Sequence, residues 1–254
     1  MREHLLLTLQ FRVTRGSQNA EFRSWRLLRN IFRYQFFRNG PLTYGITEFG
    51  GFIKVRAQSD RPDAQVMGSP MSMNRNVPGF VAEIEPGFSL GGYVVRPESK
   101  GEMRLASADP KTPMTILPDY LSDPADREIA LGATRFIREL ARQPALAAFD
   151  PQESFPGPDY ASDDQIIDAY HQFGYYGNHA LGTCRMGSDP AAVVDPRLRV
   201  RGVDGLRVVD ISVLPRMVSG NTQAAALAVG WRASQIILED AAANARATSA
   251  PHAA

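Results

Sequence analysis

The 254-residue chain carries 28 Lys and Arg against 27 Asp and Glu, for a formal net charge of +1, with 44% hydrophobic and 22% charged residues. That balance excludes an intrinsically disordered chain and removes the electrostatic basis for a dedicated nucleic-acid binder, which carries a basic excess. A single cysteine, Cys184, excludes an internal disulfide framework and a thiolate zinc cluster, and fits a reducing, cytoplasmic compartment. No stretch approaches the ~20 apolar residues of a membrane span. The opening Met1–Gln10 run lacks the apolar core and small-residue cleavage site of a signal peptide.

The first forty residues are the most basic, with Arg12, Arg15, Arg23, Arg26, Arg29, Arg33 and Arg38 interleaved with Phe11, Phe22, Trp25, Phe32, Tyr34, Phe36 and Phe37. This pattern predicts a helix or loop with an aromatic core face and an arginine face, in preference to a nucleic-acid surface. Short β-rich runs bounded by turn residues follow at 51–55, 79–84, 92–95 and 101–105; alternation in the last suggests antiparallel strands with one wet face. Asp123 as N-cap and Pro124 at the first helical position open a helix with Ile129, Ala133, Phe136, Ile137 and Leu140 as its apolar stripe, closed by Pro144. Ser162-Asp163-Asp164-Gln165 is a capping-box pattern for a second helix, with Ile166, Tyr170 and Phe173 on its apolar face and Gly174 as its C-terminal cap. A Gly-rich segment at 177–187 leads through an irregular stretch to a short buried-type strand at Leu206–Asp210. A loop then reaches an Ala-rich helix beginning near Asn221 and Thr222, whose expected packing face is Leu227, Trp231, Ser234 and Leu238.

Two constellations compete for chemistry. Gly87-Phe88-Ser89-Leu90-Gly91 matches the nucleophile elbow of serine hydrolases, with acidic residues and His171 or His179 following in the right order. An elbow needs a strand before it and a helix after it, whereas Gly92–Pro97 reads as a strand ending in a turn. A Gly-flanked strand is the simpler reading, and a hydrolase using Ser89 stays a remote alternative. Of four histidines, His4, His171, His179 and His252, only His179 falls in a Gly-rich loop, where function concentrates.

The segment His179-Ala-Leu-Gly-Thr-Cys-Arg-Met-Gly187 strongly resembles the active-site segment of glucose-methanol-choline (GMC) oxidoreductases, with choline-dehydrogenase-like members most similar. The resemblance continues through Val194–Val203, Gly205–Pro215 and Ser219–Thr222. It extends upstream to Asp60-Arg-Pro-Asp63, Arg96–Gly101, Ser107–Pro110 and the Glu3-His4 stretch. It implies FAD-dependent oxidation of an alcohol CH–OH group, in which His179 takes the hydroxyl proton while hydride goes to flavin N5. Asn221 would be its catalytic partner, holding the oxygen by hydrogen bonding. It also implies flavin contacts from Asp210, Ile211, Asn221, Thr222 and Gln223, the last three opening a helix whose N-terminal end suits negative charge. No metal is implied. Cys184 reads as a buried small residue behind the loop, and Asn178 departs from the bulky residue many members carry there.

No Gly-x-Gly-x-x-Gly occurs in the chain, so the resemblance implies a C-terminal half whose partner is a missing N-terminal FAD-binding half, besides a small-molecule alcohol. Neither nucleic acid nor a membrane span is expected. The predicted fold class is α+β: an antiparallel sheet with helices on one face, plus the closing strand and helix of an FAD-binding α/β domain. The expected division is a substrate-binding domain at 1–175, a catalytic loop and C-terminal part of the FAD-binding domain at 176–240, and a flexible tail at 241–254. A catalytically silent fragment or interaction module is the alternative in a different class.

Overall fold

The computed structural model describes residues 1–79 and 81–249. Phe80, inside the strand expected at 79–84, and His252 with the end of the expected tail lie outside the described residues. In chain order the elements are β1 (Leu5–Arg12), α1 (Ser24–Phe37), β2 (Phe49–Ile53), β3 (Ala64–Ser69), β4 (Gly87–Val94), β5 (Glu102–Arg104), β6 (Thr115–Leu117), α2 (Pro124–Ala141), α3 (Pro144–Ala147), β7 (Gln152–Phe155), α4 (Asp163–Phe173), β8 (Tyr175–Tyr176) and α5 (Gln223–Ser249). The fold is α+β, and it divides into two units: His4–Val95 with Leu121–Gly177, and Met1–Glu3 with Arg96–Tyr120 and Asn178–Ala254.

The first unit is an antiparallel sheet in the order β2-β3-β4-β1-β7, with β8 pairing beside β1. The alternation Leu7-Thr8-Leu9-Gln10-Phe11-Arg12 makes β1 the central strand, where the sequence predicts a helix or loop. Its period-two pattern puts Leu7, Leu9 and Phe11 on one face, in register with Gly92, Leu90 and Phe88 of β4. Phe11 stacks on Phe88 with ring centroids 5.0 Å apart. Helices α2 and α4 cover this face, with Ile129, Ala130, Ala133 and Ile137 of α2 and Ile166 and Tyr170 of α4 all buried. Gly92 lets α2 approach: a Cβ there would sit 3.2 Å from Ile137 Cδ1. Phe136, expected in this core, is exposed instead. The opposite face presents Thr8, Gln10, Met67, Ser89 and Gly91 to a cavity of about 400 Å³ that Arg75 and Tyr175 also line.

Both helix starts follow their predicted chemistry. The Asp123 carboxylate accepts the Ala125 N–H at 2.8 Å, and Ser162 and Gln165 form a complete capping box. Helix α1 departs from expectation. Trp25, Leu28, Phe32 and Phe36 are all exposed, and the fully buried helical residue is Asn30, whose Nδ2 donates to the Glu21 carbonyl at 2.9 Å. The helix is anchored by polar bonds and keeps its aromatic face outward. The strand expected at 79–84 is reduced, among described residues, to one bridge between Met73 and Ala82. Buried Asn19 shapes this region by donating to the carbonyls of Glu83 and Glu85 at 3.2 and 2.8 Å, while its Oδ1 accepts the Ser72 N–H at 3.0 Å.

The second unit holds the β5–β6 hairpin and a small core of Val194, Leu198, Val213 and Ala233, with Met186, Val200, Val208 and Val229 against it. The buried strand predicted at 206–210 is not formed. The segment makes one bridge, Arg199 to Arg207, with backbone hydrogen bonds from Val200 to Leu206 and from Val208 to Leu198, and leaves the Leu206 and Val209 side chains exposed. Helix α5 packs through Ala233 and Ile236, while Leu227, Trp231 and Leu238 of the predicted packing face are exposed. Asp240 receives Arg197, Arg199 and Arg207 at 2.5–2.6 Å, tying α5 to the irregular segment before it. The boundaries read from sequence anticipate neither the grouping of Arg96–Tyr120 with the C-terminal residues nor the continuation of α5 through Ser249.

Candidate active site

His179 sits in a loop built by backbone geometry. Asn178 has φ +59 and Gly182 φ +84, left-handed conformations that Asn and Gly adopt more readily than other residues. Asn178 is therefore a turn residue in a conformation that suits Asn. Beyond the turn, Arg2 and Leu181 exchange backbone hydrogen bonds of 2.9 and 3.0 Å. The His179 N–H does not join this ladder; it donates to both carboxylate oxygens of Glu3, at 2.9 and 3.1 Å. Glu3 is buried.

The loop is then sewn to the Asp210–Leu214 turn. The Cys184 N–H donates to the Ser212 carbonyl at 3.0 Å and the Met186 N–H to the Val213 carbonyl at 2.8 Å. Asp210 caps this turn by accepting the Ser212 N–H at 2.7 Å, and Ile211 opens its single helical turn. Cys184 is half-buried rather than buried.

Asn221 comes from the other side. Arg96 donates to Ser219 Oγ at 2.6 Å, Gly220 turns with φ +94, and α5 starts two residues beyond Asn221. Its first intrahelical bond runs from the Ala226 N–H to the Thr222 carbonyl at 2.9 Å. Thr222 is buried and Gln223 exposed. The result brings His179 Nε2 to 3.2 Å from Asn221 Nδ2, across 42 positions of chain. An amide nitrogen only donates, so this contact is a hydrogen bond in the tautomer whose Nε2 carries no proton. Burial lowers the pKa of His179, and the charge of Glu3 raises it in partial opposition.

The other candidates separate from this geometry. Ser89 lies inside β4, hydrogen-bonded on both sides, and its hydroxyl donates to the Met71 carbonyl at 2.7 Å; there is no elbow, and the hydrolase reading falls. His4 is buried, with Nε2 donating to the Val95 carbonyl at 2.9 Å. His171 is exposed on the last turn of α4. Glu3 is the site residue that the sequence does not reveal. It lies 176 positions from His179, and no spacing rule connects them.

The residues arranged here are those of one family. A family model described as GMC oxidoreductase matches residues 97–230. The chain is 38% identical over 213 residues to an alcohol dehydrogenase [acceptor] of Pseudomonas putida, covering 84% of this chain and 38% of that protein. It is 37% identical over 190 residues to an oxygen-dependent choline dehydrogenase of Klebsiella pneumoniae, covering 75% of this chain and 34% of that protein. Among solved structures, a formate oxidase variant from Aspergillus oryzae shares the fold with a TM-score of 0.81 at 22% identity, over 94% of this chain and 46% of that one. The chain thus spans less than half the length of the relatives it matches. By this match and by its sequence, the chain belongs to the GMC oxidoreductase family.

Proposed function

We propose that the chain is the catalytic C-terminal part of an FAD-dependent enzyme that oxidises the CH–OH group of an alcohol. The observation that carries this reading is the 3.2 Å approach of His179 Nε2 to Asn221 Nδ2. It aims a proton acceptor and a hydrogen-bond donor at one locus. A substrate hydroxyl entering there would displace the Asn221–His179 bond, giving its proton to the freed Nε2 while the Asn221 amide turns its N–H to the oxygen and stabilises the developing negative charge. Burial keeps the imidazole neutral to lower pH than an exposed histidine, so the base is ready to accept.

The surroundings suit the ring end of a flavin. Exposed Leu206 and Val209 offer apolar surface, and Asp210 and Ile211 stand at the adjoining turn. Thr222 and Gln223 begin α5, whose first N–H groups have no intrahelical acceptors and favour negative charge. Bound FAD would supply the acceptor for the hydride leaving the alcohol carbon. The antiparallel unit would form the substrate domain, and the pyrophosphate cradle would come from polypeptide beyond these residues. The names of the relatives support alcohols as substrates.

The test is His179→Ala in the whole, flavin-loaded enzyme. Turnover should fall roughly 10²–10⁴-fold, the usual worth of a positioned acid–base group. Flavin content should stay near that of the parent, because the change removes an imidazole and leaves the cradle. Unchanged turnover rejects His179 as the base.

A further inference from the structure

We infer that Glu3 is a positioning residue for His179: its carboxylate fixes the backbone of the base and stabilises the imidazolium that forms when the base takes its proton. The inference rests on the reading of His179 as that base.

Three observations carry it. Both oxygens of the Glu3 carboxylate accept the His179 backbone N–H, at 2.9 and 3.1 Å. Two residues further on, the Arg2–Leu181 pair uses ordinary carbonyl partners. His179 is thus the point where a side chain replaces the ladder, after the left-handed turn at Asn178. Second, Glu3 is only 8% exposed, so its negative charge acts through little water and is weakly screened. Third, this charge opposes the effect of burial on the ring. A site that desolvates its base makes the protonated product costly, and a fixed carboxylate close by offsets that cost as proton transfer proceeds. Carboxylates behind catalytic histidines elsewhere hold the ring through its N–H; Glu3 grips the backbone of the base as well as placing a charge near its ring.

Glu3→Gln separates the two parts of the role. The Gln carbonyl still accepts the His179 N–H, but the charge is gone. In the flavin-loaded enzyme we expect turnover to fall roughly 10–100-fold, by analogy with the loss of groups that orient a metal-bound histidine. The rising limb of the pH–rate profile should move to lower pH. Glu3→Asp, which keeps the charge, should recover much of both. An independent readout is NMR titration of the His179 ring in the intact protein. Its midpoint should move to lower pH in Glu3→Gln, and an unmoved midpoint overturns the inference. Should Glu3→Gln fail to fold, the unsubstituted protein still decides. The His179 amide proton should lie downfield and follow the ionisation of Glu3, and an amide signal that ignores it overturns the inference. If His179→Ala retains turnover, the base reading fails and this inference falls with it. If His179→Ala is inactive while both NMR responses are absent, only the role of Glu3 falls.

Discussion

The bond between Asn221 and His179 restricts what each side chain can do. On the proposed reading, Asn221 donates through Nδ2 and cannot compete for the substrate proton, so the base and the oxygen holder would be chemically distinct. Asn221→Leu should therefore lower turnover roughly 10²–10³-fold, the range for losing one donor to a developing oxyanion. Asn221→His, which can still donate, should lose less; equal losses in steady-state assays would show that the amide only fills space. The lowered pKa of His179 gives a second expectation. A base must be deprotonated to act, so kcat/KM rises with pH through its pKa. Burial puts that limb below the ordinary value of 6.5, and a limb above 6.5 in a pH–rate profile would contradict it. At this scale the ordered string after His179 was enough to single out His179 and Asn221, which the fold brings to 3.2 Å of each other. Glu3 was not legible, because its contact depends on a turn at Asn178 that only the folded backbone displays.

Among the elements, the sheet and its helices are held by a few close approaches. Ile137 is 1% exposed beneath Gly92, and a Cβ at Gly92 would stand 3.2 Å from it. Ile137→Ala should cost about 2–5 kcal/mol by leaving a cavity. Gly92→Val should cost about 1–3 kcal/mol by pressing α2 off the sheet. The double variant should lose less than the sum, because the added methyls enter the vacated space; urea unfolding with simple additivity would contradict the contact. Ser162→Ala should cost about 1 kcal/mol through loss of the cap. The caps at Asp123 and Ser162 were readable because their chemistry is local. Strand β1 was masked by its near-continuous apolar start, Leu5-Leu6-Leu7, which hides alternation until Thr8. On α5, two apolar stripes compete: one through Val229, Ala233 and Ile236, the other through Leu227, Trp231 and Leu238. Periodicity cannot say which has a partner, and the structure buries the first.

For the whole molecule, one group of open apolar side chains lies on the segment and helix that the family resemblance assigns to an FAD-binding domain, apart from the exposed aromatic face of α1. Leu206, Val209, Leu227, Trp231 and Leu238 are exposed at 40–69%, more large apolar side chains than one short segment and one helix face would leave uncovered without a partner surface. The segment at 206–209 has β-type sequence and makes one bridge, to Arg199, with backbone hydrogen bonds to Leu198 and Val200. Binding of FAD follows the same logic. On the proposed reading, the ring end would meet His179, the Asn221 amide and the start of α5. The pyrophosphate needs successive backbone N–H groups at a Gly-rich turn ahead of a helix, and the 254 residues contain no Gly-x-Gly-x-x-Gly. Contacts at one end of an extended cofactor leave the other solvated, and the ordering of the loop then opposes binding. The isolated 254-residue chain, mixed with excess FAD and desalted, should therefore emerge without stoichiometric yellow flavin and without alcohol turnover. Co-expression with the Gly-rich half of a family member should restore the absorbance and reduce the exposure of Trp231, read by a blue shift of its fluorescence. Stoichiometric flavin on the isolated chain would mean that these residues hold a phosphate by a different cradle, and the arginines around Asp240, three of them within 2.6 Å of one carboxylate, would be the first place to substitute.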